Sequence, residues 1–259
     1  MEIACVDGAV IAAQEALIPA TDDGLLRGDG VFEVMRCYGG RPFAVDEHLA
    51  RLERSAANLR LPVEVAAVRE DVGSLLAAVP DHEGLVRVLV TRGGHRLAVT
   101  EPLPQLPDAM RLATVTFAPT RILDGIKSLS YAGNMLATRL AQERGFDEAL
   151  LVTPHGRVLE APTSSFFWVR AGELLTPPLS DHILASITRA RLMELTGARE
   201  ATCTLDDVAA ADEAFLASTV REALPVTAVE EIELPADGPL TQEAGRLLRE
   251  RIAAELAPA

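Results

Sequence analysis

Lys127 is the only lysine among the 259 residues of the chain, whose other strongly basic side chains are all arginines. An amine can lose its proton and attack a carbonyl group, whereas a guanidinium stays charged at any working pH. The sequence therefore makes Lys127 the first candidate for a nucleophile that forms a Schiff base. The competing interpretation is compositional drift, in which arginine has replaced surface lysines and one lysine has remained by chance.

Composition and charge exclude several other kinds of chemistry. A formal net charge of -14 argues against binding to nucleic acids or anionic membranes, because both need basic surfaces. No pair of histidines has the spacing of metal ligands, so no metal site is predicted. Cys5, Cys37 and Cys203 lie far apart, no leader peptide is visible, and no apolar run approaches the ~18 residues of a membrane span. These features predict a reduced, cytoplasmic protein.

The first half of the chain has the pattern of a mixed α+β lobe. Strands are predicted over 31–38 and 41–45, joined by a Gly39-Gly40 hairpin turn, and over 85–91 and 110–117. Helices are predicted from an Asp46 cap to Leu59 and over 64–78. Glycines at 93 and 94 and the prolines that follow indicate a loop between the last two strands.

The second half places further strands around the lysine. A helix is predicted from Tyr131 to Arg144 and a second from Ile187 to about Leu195, with strands over 149–153, 158–160, 165–169 and 173–176. We predict an N-terminal lobe over 1–117, a connection over 118–126, and a larger C-terminal lobe over 127–259.

The order of short motifs along the chain resembles the class IV aminotransferases, which are pyridoxal phosphate (PLP) enzymes of fold type IV. The resemblance runs from about residue 20 to 230. It rests on Arg51-Leu52 with Ser55, Lys127-Ser-Leu-Ser-Tyr131, Gly145-Phe-Asp-Glu-Ala149, Gly156-Arg-Val-Leu-Glu160, Thr176-Pro177, Ile187-Thr-Arg189 and Phe215 to Val226.

The resemblance implies roles for the two ends of the PLP ring. PLP chemistry needs an amine for the aldehyde, an acid beside the pyridine nitrogen and a site for the phosphate. Lys127 is the implied aldimine-forming lysine, and it also carries the proton between the substrate Cα and the cofactor. Glu160 is the implied carboxylate at the ring nitrogen, which keeps that nitrogen protonated.

Further residues are implied to hold the phosphate and the ring. The phosphate contacts are Arg51, the helix start at Ser186-Ile187-Thr188, and Ser218-Thr219. Tyr131 is implied to lie against the cofactor. Two positions depart from the family pattern, because Ser186 stands where glycine is frequent and Ser165 where asparagine is frequent.

Substrate choice depends on arginines near the implied site rim. Arg27, in the segment from Gly24 to Glu33, stands where many relatives have an aromatic residue, and it offers a clamp for a carboxylate. Arg92 and Arg96 offer a second cationic group. The competing interpretation of each is an arginine exposed at the surface.

The arginines favour a transaminase that moves the amino group of D-amino acids to pyruvate or 2-oxoglutarate. Aminodeoxychorismate lyase, which eliminates pyruvate, and an L-branched-chain aminotransferase are the alternative activities, and a non-catalytic scaffold is the alternative of another class. The resemblance implies two α+β lobes with PLP in the cleft between them, and a homodimer whose neighbouring subunit lends the Arg27 rim.

Overall fold

The computed structural model describes residues 2–257, which form two compact units. The first unit contains the residues up to Pro104 and also Gly125–Tyr131. The second contains Gln105–Asp124 and the residues from Ala132 onward. This division differs from the predicted boundaries at 117 and 127, because the lysine segment belongs to the first unit and the strand after residue 109 to the second.

Strand pairing explains the difference in boundaries. Ser128 forms a bridge with Val31, and the N–H of Leu129 donates to the carbonyl of Gly30 at 2.9 Å. The strand Met110–Thr116, in contrast, pairs in parallel with two strands of the second unit. Such pairings join residues that are distant in sequence, so local patterns do not reveal them.

The first unit is an antiparallel sheet covered on one face by two helices. The strands run in the order β2-β1-β6-β5-β3-β4. They are β1 (Ile3–Val6), β2 (Ala9–Ala12), β3 (Gly30–Tyr38), β4 (Arg41–Pro42), β5 (Gly84–Thr91) and β6 (Arg96–Pro102). The helices are α1 (Asp23–Arg27), α2 (Val45–Leu59) and α3 (Val65–Ala78).

Side-chain alternation divides this sheet into two faces of different character. Val86, Val88 and Val90 of β5 are buried in the core with apolar residues of α2 and α3. Because successive strand residues point to opposite faces, Arg87 lies on the other face, the one that also carries Phe32 of β3. We call this the open face of the sheet, defined by Phe32, Val34 and Arg87.

Most predicted elements of this unit are confirmed, with local differences: for example, the strand predicted over 41–45 ends at Pro42, and α2 begins at Val45. Strand β6 was predicted as loop, yet it lies between β1 and β5, and Pro102 is its last residue. Asp46 is not the cap of α2; the N-cap residue is Ala44, and Asp46 pairs with Arg69 of α3 at 2.5 Å. The hairpin turn is confirmed, and a side chain at Gly40 (φ 74°) would meet the carbonyl of Pro80.

The second unit is built on a mixed sheet. The strands run in the order β12-β11-β10-β14-β15-β7-β8-β9-β13, with β16 beside β15. They are β7 (Met110–Thr116), β8 (Glu148–Val152), β9 (Arg157–Val158), β10 (Ser165–Arg170), β11 (Glu173–Thr176), β12 (Arg199–Glu200), β13 (Cys203–Thr204), β14 (Glu213–Ser218), β15 (Glu222–Val229) and β16 (Ile232–Glu233). The helices are α4 (Ala132–Glu143), α5 (Ile187–Thr196), α6 (Leu205–Ala209) and α7 (Pro239–Glu255).

Apolar packing on this sheet fixes the strands that carry candidate residues. Phe166 and Trp168 of β10 are buried and stack at 6.2 Å between ring centroids. Ala137 and Ala141 of α4 pack in a second cluster that includes Leu151 of β8. The predicted α+β class is confirmed. Over the described part of the chain, the helices lack the length and apolar character that a bilayer crossing requires.

Candidate active site

Two hydrogen bonds hold the backbone of Lys127, one to α2 and one to β3. Its N–H donates to the hydroxyl of Ser55 on α2 at 3.1 Å, and its carbonyl accepts from the N–H of Phe32 at 3.1 Å. Ser55 is buried, so the first bond is shielded from water. Consequently, the backbone from which the lysine side chain extends has a fixed position.

Two aromatic rings surround the amine. The Nζ atom of Lys127 lies 4.4 Å from the ring centroid of Phe32 and 5.8 Å from that of Tyr131. The two rings pack edge to face, with centroids 5.2 Å apart. Tyr131, which was predicted to lie against the cofactor, thus lies beside the lysine, and the two rings give the amine a largely apolar setting.

Beneath this surface, Glu33 of β3 organises a buried ionic network. Its Oε1 accepts from Nε of Arg51 at 2.6 Å, and its Oε2 accepts from Nη2 of Arg51 at 2.7 Å and lies 2.8 Å from Nδ1 of His48. Burial works to raise the pKa of Glu33, but bonds from Arg51 and His48 outweigh it and lower that pKa to about 2. Glu33 is thus a carboxylate at neutral pH.

His48 completes this network as a neutral ring. Burial lowers its pKa, and the charges of Arg51 and Lys127 act in the same direction, against the opposing effect of Glu33. The two-point contact with Glu33 fixes the plane of the Arg51 guanidinium. Arg51, the predicted phosphate contact, is consequently a cation held in one orientation.

The three arginines predicted for substrate binding lie in different settings. Arg27 ends α1, and its side chain is 69% exposed beside Asp23. Arg92 donates to both oxygens of Asp29, at 2.9 and 3.0 Å, and to the carbonyls of Leu59 and Arg60 at the end of α2. Hydrogen bonding to Asp29 raises the pKa of Arg92.

Arg96 is also paired with an aspartate. Its Nε donates to Asp71 of α3 at 2.7 Å, and this hydrogen bond raises the pKa of Arg96. Arg92 and Arg96 are therefore each paired with an aspartate of the first unit. Arg27 has no comparable buried partner.

Sequence reasoning missed Arg87, which lies on the open face close to the lysine. Its guanidinium carbon is 5.8 Å from the centroid of the Phe32 ring, the ring that also contacts Lys127. Glu101 of β6 accepts from its Nε and Nη2 at 2.5 and 2.9 Å. Nη1 of Arg87 has no acceptor among residues 2–257. The available signal was an arginine inside the otherwise apolar strand 85–91.

In the second unit, Glu160 follows β9 and is held by hydrogen bonds from backbone N–H groups. Its Oε1 accepts from the N–H of Leu184 at 3.0 Å, and its backbone carbonyl accepts from the N–H of Leu151 at 2.9 Å. The side chain is half-buried. The carboxylate is therefore held at a defined position, as a contact to a ring nitrogen requires.

The start of α5 offers an anion site. Ser186 is the N-cap, and its hydroxyl accepts from the N–H of Arg189 at 3.2 Å. Within the described chain, the backbone N–H groups of Ile187 and Thr188 have no acceptor. Unpaired amides at the positive end of a helix favour a phosphate. The predicted helix from Ile187 is confirmed and ends at Thr196.

Ser218 and Thr219 begin the turn between β14 and β15. The hydroxyl of Ser218 accepts from the N–H of Arg221 at 3.1 Å, which tightens the turn. Thr219 is half-buried in this turn. The second hydroxyl predicted for the phosphate is thus carried by a short, fixed connection.

Comparison with known proteins decides the family. The pattern described as amino-transferase class IV matches residues 30–229. A putative branched-chain-amino-acid aminotransferase of Methanocaldococcus jannaschii is 33% identical over 85% of each chain, and a D-alanine aminotransferase of Bacillus licheniformis is 31% identical over 97% of each chain. The solved 4-amino-4-deoxychorismate lyase of Pseudomonas aeruginosa has a TM-score of 0.85 and 28% identity, covering 98% of this chain and 99% of that chain.

The chain belongs to the class IV aminotransferases. The resemblance found in the sequence, the fold type IV architecture and the dependence of the family on PLP are thereby confirmed. Class IV enzymes carry out chemistry that begins with an amine and a carbonyl, which agrees with the single lysine.

One buried polar atom of this class IV enzyme, the hydroxyl oxygen of Ser165, lacks a hydrogen-bond partner within residues 2–257 and fits a bound cofactor. The hydroxyl oxygen of Ser165 is buried and has no hydrogen-bond partner among the described residues. A buried hydroxyl without a partner is costly, and an additional ligand resolves it. Ser165 is the position where the family frequently has asparagine. At the other departure, the serine at 186 caps α5 and leaves the first two amides available.

Proposed function

We propose that this class IV aminotransferase moves the amino group of a D-amino acid to a 2-keto acid, either pyruvate or 2-oxoglutarate. The observation that carries the proposal is the Phe32 ring, which contacts both the Lys127 amine and the Arg87 guanidinium. An amine and a guanidinium that contact the same ring suit a substrate that bears an amino group and a carboxylate. The preference for D-amino acids is supported by the end-to-end likeness to a D-alanine aminotransferase.

Lys127 and Glu160 are proposed to carry the chemistry at the two ends of the cofactor ring. PLP, when bound, supplies a ring that accepts the electrons left behind when the substrate Cα loses its proton. Lys127 Nζ holds the cofactor covalently between turnovers, and during the reaction it takes that proton and returns one. Glu160 holds a proton at the ring nitrogen.

The phosphate contacts are proposed on each unit in turn. In the first unit, Arg51 offers a guanidinium whose plane Glu33 fixes. In the second, the amides of Ile187 and Thr188, the Ser186 cap and the Ser218-Thr219 turn offer donors. Tyr131 and Ser165 are proposed to hold the ring.

Substrate carboxylates are proposed to meet Arg87 and Arg27. Glu101 orients the Arg87 guanidinium on the open face by accepting from Nε and Nη2, which leaves Nη1 for a further acceptor. Arg92 and Arg96 also remain proposals. Like Arg87, each is paired with a carboxylate, and what favours Arg87 is the Phe32 ring that it shares with Lys127.

A cytoplasmic homodimer is proposed as the working form. Leu25 and Leu26, which precede Arg27, are 66% and 59% exposed. A partner subunit that covers them would remove apolar surface from water and would place Arg27 at its own site. Cys5, Cys37 and Cys203 are free and buried, as is typical of a reducing compartment.

Two other activities are supported by named relatives. The lyase of Pseudomonas aeruginosa aligns over nearly its full length, and the Methanocaldococcus relative is named as a branched-chain enzyme. Both would use the same lysine, so the difference lies in the substrate. A lyase releases pyruvate from aminodeoxychorismate without a keto-acid acceptor.

The visible absorption spectrum of the PLP-loaded protein tests the proposal. D-alanine, D-glutamate, L-leucine and L-glutamate are added separately, and the band of the lysine-bound cofactor is followed. Loss of the band with D-amino acids alone is expected. Loss with L-amino acids alone would favour the branched-chain activity. No change with any of them, together with pyruvate release from aminodeoxychorismate, would favour the lyase, and absence of the band in loaded protein would favour the scaffold.

A further inference from the structure

Arg221 lies in the β14–β15 turn, two residues after Thr219, and its side chain points into the second unit rather than to solvent. Only 11% of the side chain is exposed. Nη1 donates to the hydroxyls of Thr163 and Ser164, at 2.6 and 2.7 Å, and Nη2 donates to Oε2 of Glu148 at 3.0 Å. One guanidinium therefore joins three separate segments of this unit.

The acidic partner of Arg221 is itself held in place. Glu148 at the start of β8 is buried, and its Oε1 accepts from the hydroxyl of Thr138 on α4 at 2.5 Å and from the N–H of Ala149 at 3.0 Å. With these bonds, the Glu148 carboxylate has one orientation. Burying an ion pair costs desolvation free energy, and good geometry together with additional hydrogen bonds compensates that cost.

The segments that Arg221 joins are the ones proposed to hold the cofactor. Residues 161–164 form a turn directly after Glu160, closed by the bond from the N–H of Ala161 to the carbonyl of Ser164 at 2.8 Å. Within the β14–β15 turn, the backbone N–H of Arg221 donates to the hydroxyl of Ser218, which adjoins Thr219. The guanidinium thus fixes the Thr219 turn relative to the segment that follows Glu160.

We infer that Arg221 is a positioning residue that, anchored on Glu148, Thr163 and Ser164, sets the Thr219 turn for the phosphate of PLP. This inference rests on the proposed function. This positioning role requires the planar guanidinium with its several donors, because a lysine at position 221 could not reach Glu148 and the two hydroxyls together. None of the residues that Arg221 bonds is proposed to react.

The decisive measurement compares PLP with pyridoxal, which lacks the phosphate. The full-length chain is freed of cofactor, and binding of each compound is followed by quenching of Trp168 fluorescence. Arg221→Gln is expected to weaken PLP binding about tenfold, the effect of one lost charge-assisted hydrogen bond, and to leave pyridoxal binding unchanged. Equal weakening of both, or no weakening, would overturn the inference.

Coupling to Thr219 supplies the second test. If Arg221 acts through Thr219, Arg221→Gln should add little loss of PLP affinity when Thr219 is already alanine. Full additivity of the two losses would contradict the inference. Arg170→Gln is the control, because it breaks an exposed ion pair with Asp207 at the other end of β10. It is expected to bind both compounds as the unchanged chain does.

The double variant E148Q/R221Q separates positioning from stability. Removing both charges leaves no uncompensated buried ion, so the midpoint of urea unfolding should recover relative to R221Q alone. The loss of PLP affinity should persist, since the bridge is still absent. Recovery of PLP affinity together with stability would refute positioning. Failure of the unchanged chain to form the lysine-bound band would refute the proposed function instead.

Discussion

At the scale of single residues, the two faces of the sheet in the first unit carry different groups: those proposed for substrate and cofactor lie on the open face, and the ionic network lies on the other face. Lys127, Phe32 and Arg87 meet on the open face, whereas Glu33, Arg51 and His48 form the ionic network on the other side of the same strands. The alternation of β3 places Phe32 and Glu33 on opposite faces although they are adjacent in sequence. One strand therefore presents an apolar support for the amine and a carboxylate for Arg51.

Arg87 gives the sharpest prediction at this scale. Arg87→Gln should raise KM for the amino-acid substrate about tenfold to hundredfold, since a charge-assisted contact to its carboxylate is lost. Steady-state kinetics with D-alanine and D-glutamate measure the effect. A rise for both places the α-carboxylate at Arg87, and a rise for D-glutamate alone places the side-chain carboxylate there.

Two further variants control the Arg87 experiment. In R87Q/E101Q the unpaired Glu101 charge is also removed, and the KM defect should remain. Restored KM in this double variant would mean that Arg87 only neutralises Glu101. Arg69→Gln breaks an exposed ion pair between α2 and α3, away from the open face, and should leave KM unchanged.

The low pKa of Glu33 predicts a pH dependence of stability. Its pKa is about 2 in the folded protein and 4.5 ordinarily, so its stabilisation is fully present above pH 4.5 and is lost as the pH falls towards 2. The shift corresponds to roughly 3 kcal/mol. Glu33→Gln should lower the free energy of unfolding in urea, and its deficit should shrink as the pH falls from about 6 to about 3. A deficit that is constant over this range would contradict the assignment.

At the scale of elements, the helix start at α5 combines a capping role with a proposed anion site. Ser186→Ala should lower the free energy of unfolding by about 1 kcal/mol, because the acceptor for the N–H of Arg189 is lost. Ser186→Gly restores the residue that is frequent in relatives, and it should cost only a few tenths of a kcal/mol. Urea unfolding of both variants measures the difference. Equal losses would show that the Ser186 hydroxyl does not stabilise the helix.

Element boundaries also show what local sequence can reveal. Helix α5 was predicted from its first residue, since a serine cap and a regular apolar spacing are local signals. Strand β6 was missed, because its glycine-rich start and proline-rich end resemble a loop, and its identity as a strand depends on pairing with β1 and β5.

At the scale of the whole molecule, the proposed dimer predicts complementation between two inactive proteins. Lys127→Ala lacks the nucleophile, and Arg27→Gln lacks the rim arginine that a neighbouring subunit is proposed to lend. Mixed dimers would contain one site with both residues, so an equimolar mixture unfolded and refolded together should recover about a quarter of the native activity. Activity of the mixture no higher than the average of the two separate variants would place Arg27 at the site of its own subunit.

The sequence by itself determined the family and the cofactor, and it predicted the nucleophile. The single lysine and the order of the motifs can be read from the sequence without knowing which distant residues are in contact. The reaction requires certain residue types, and their order along the chain is visible in the sequence itself. Local spacing likewise determined most helices, including α2 and α5.

Only the tertiary structure decided which arginines are engaged and which unit holds the lysine. Arg92 and Arg87 are both paired with a carboxylate. Two carbonyls at the end of α2 also hold Arg92, whereas sheet alternation brings Arg87 to the Phe32 ring that contacts Lys127. The segment Gly125–Tyr131 joins the first unit through pairing with β3, almost a hundred residues earlier. Such contacts depend on the register between distant strands, and no local pattern encodes that register.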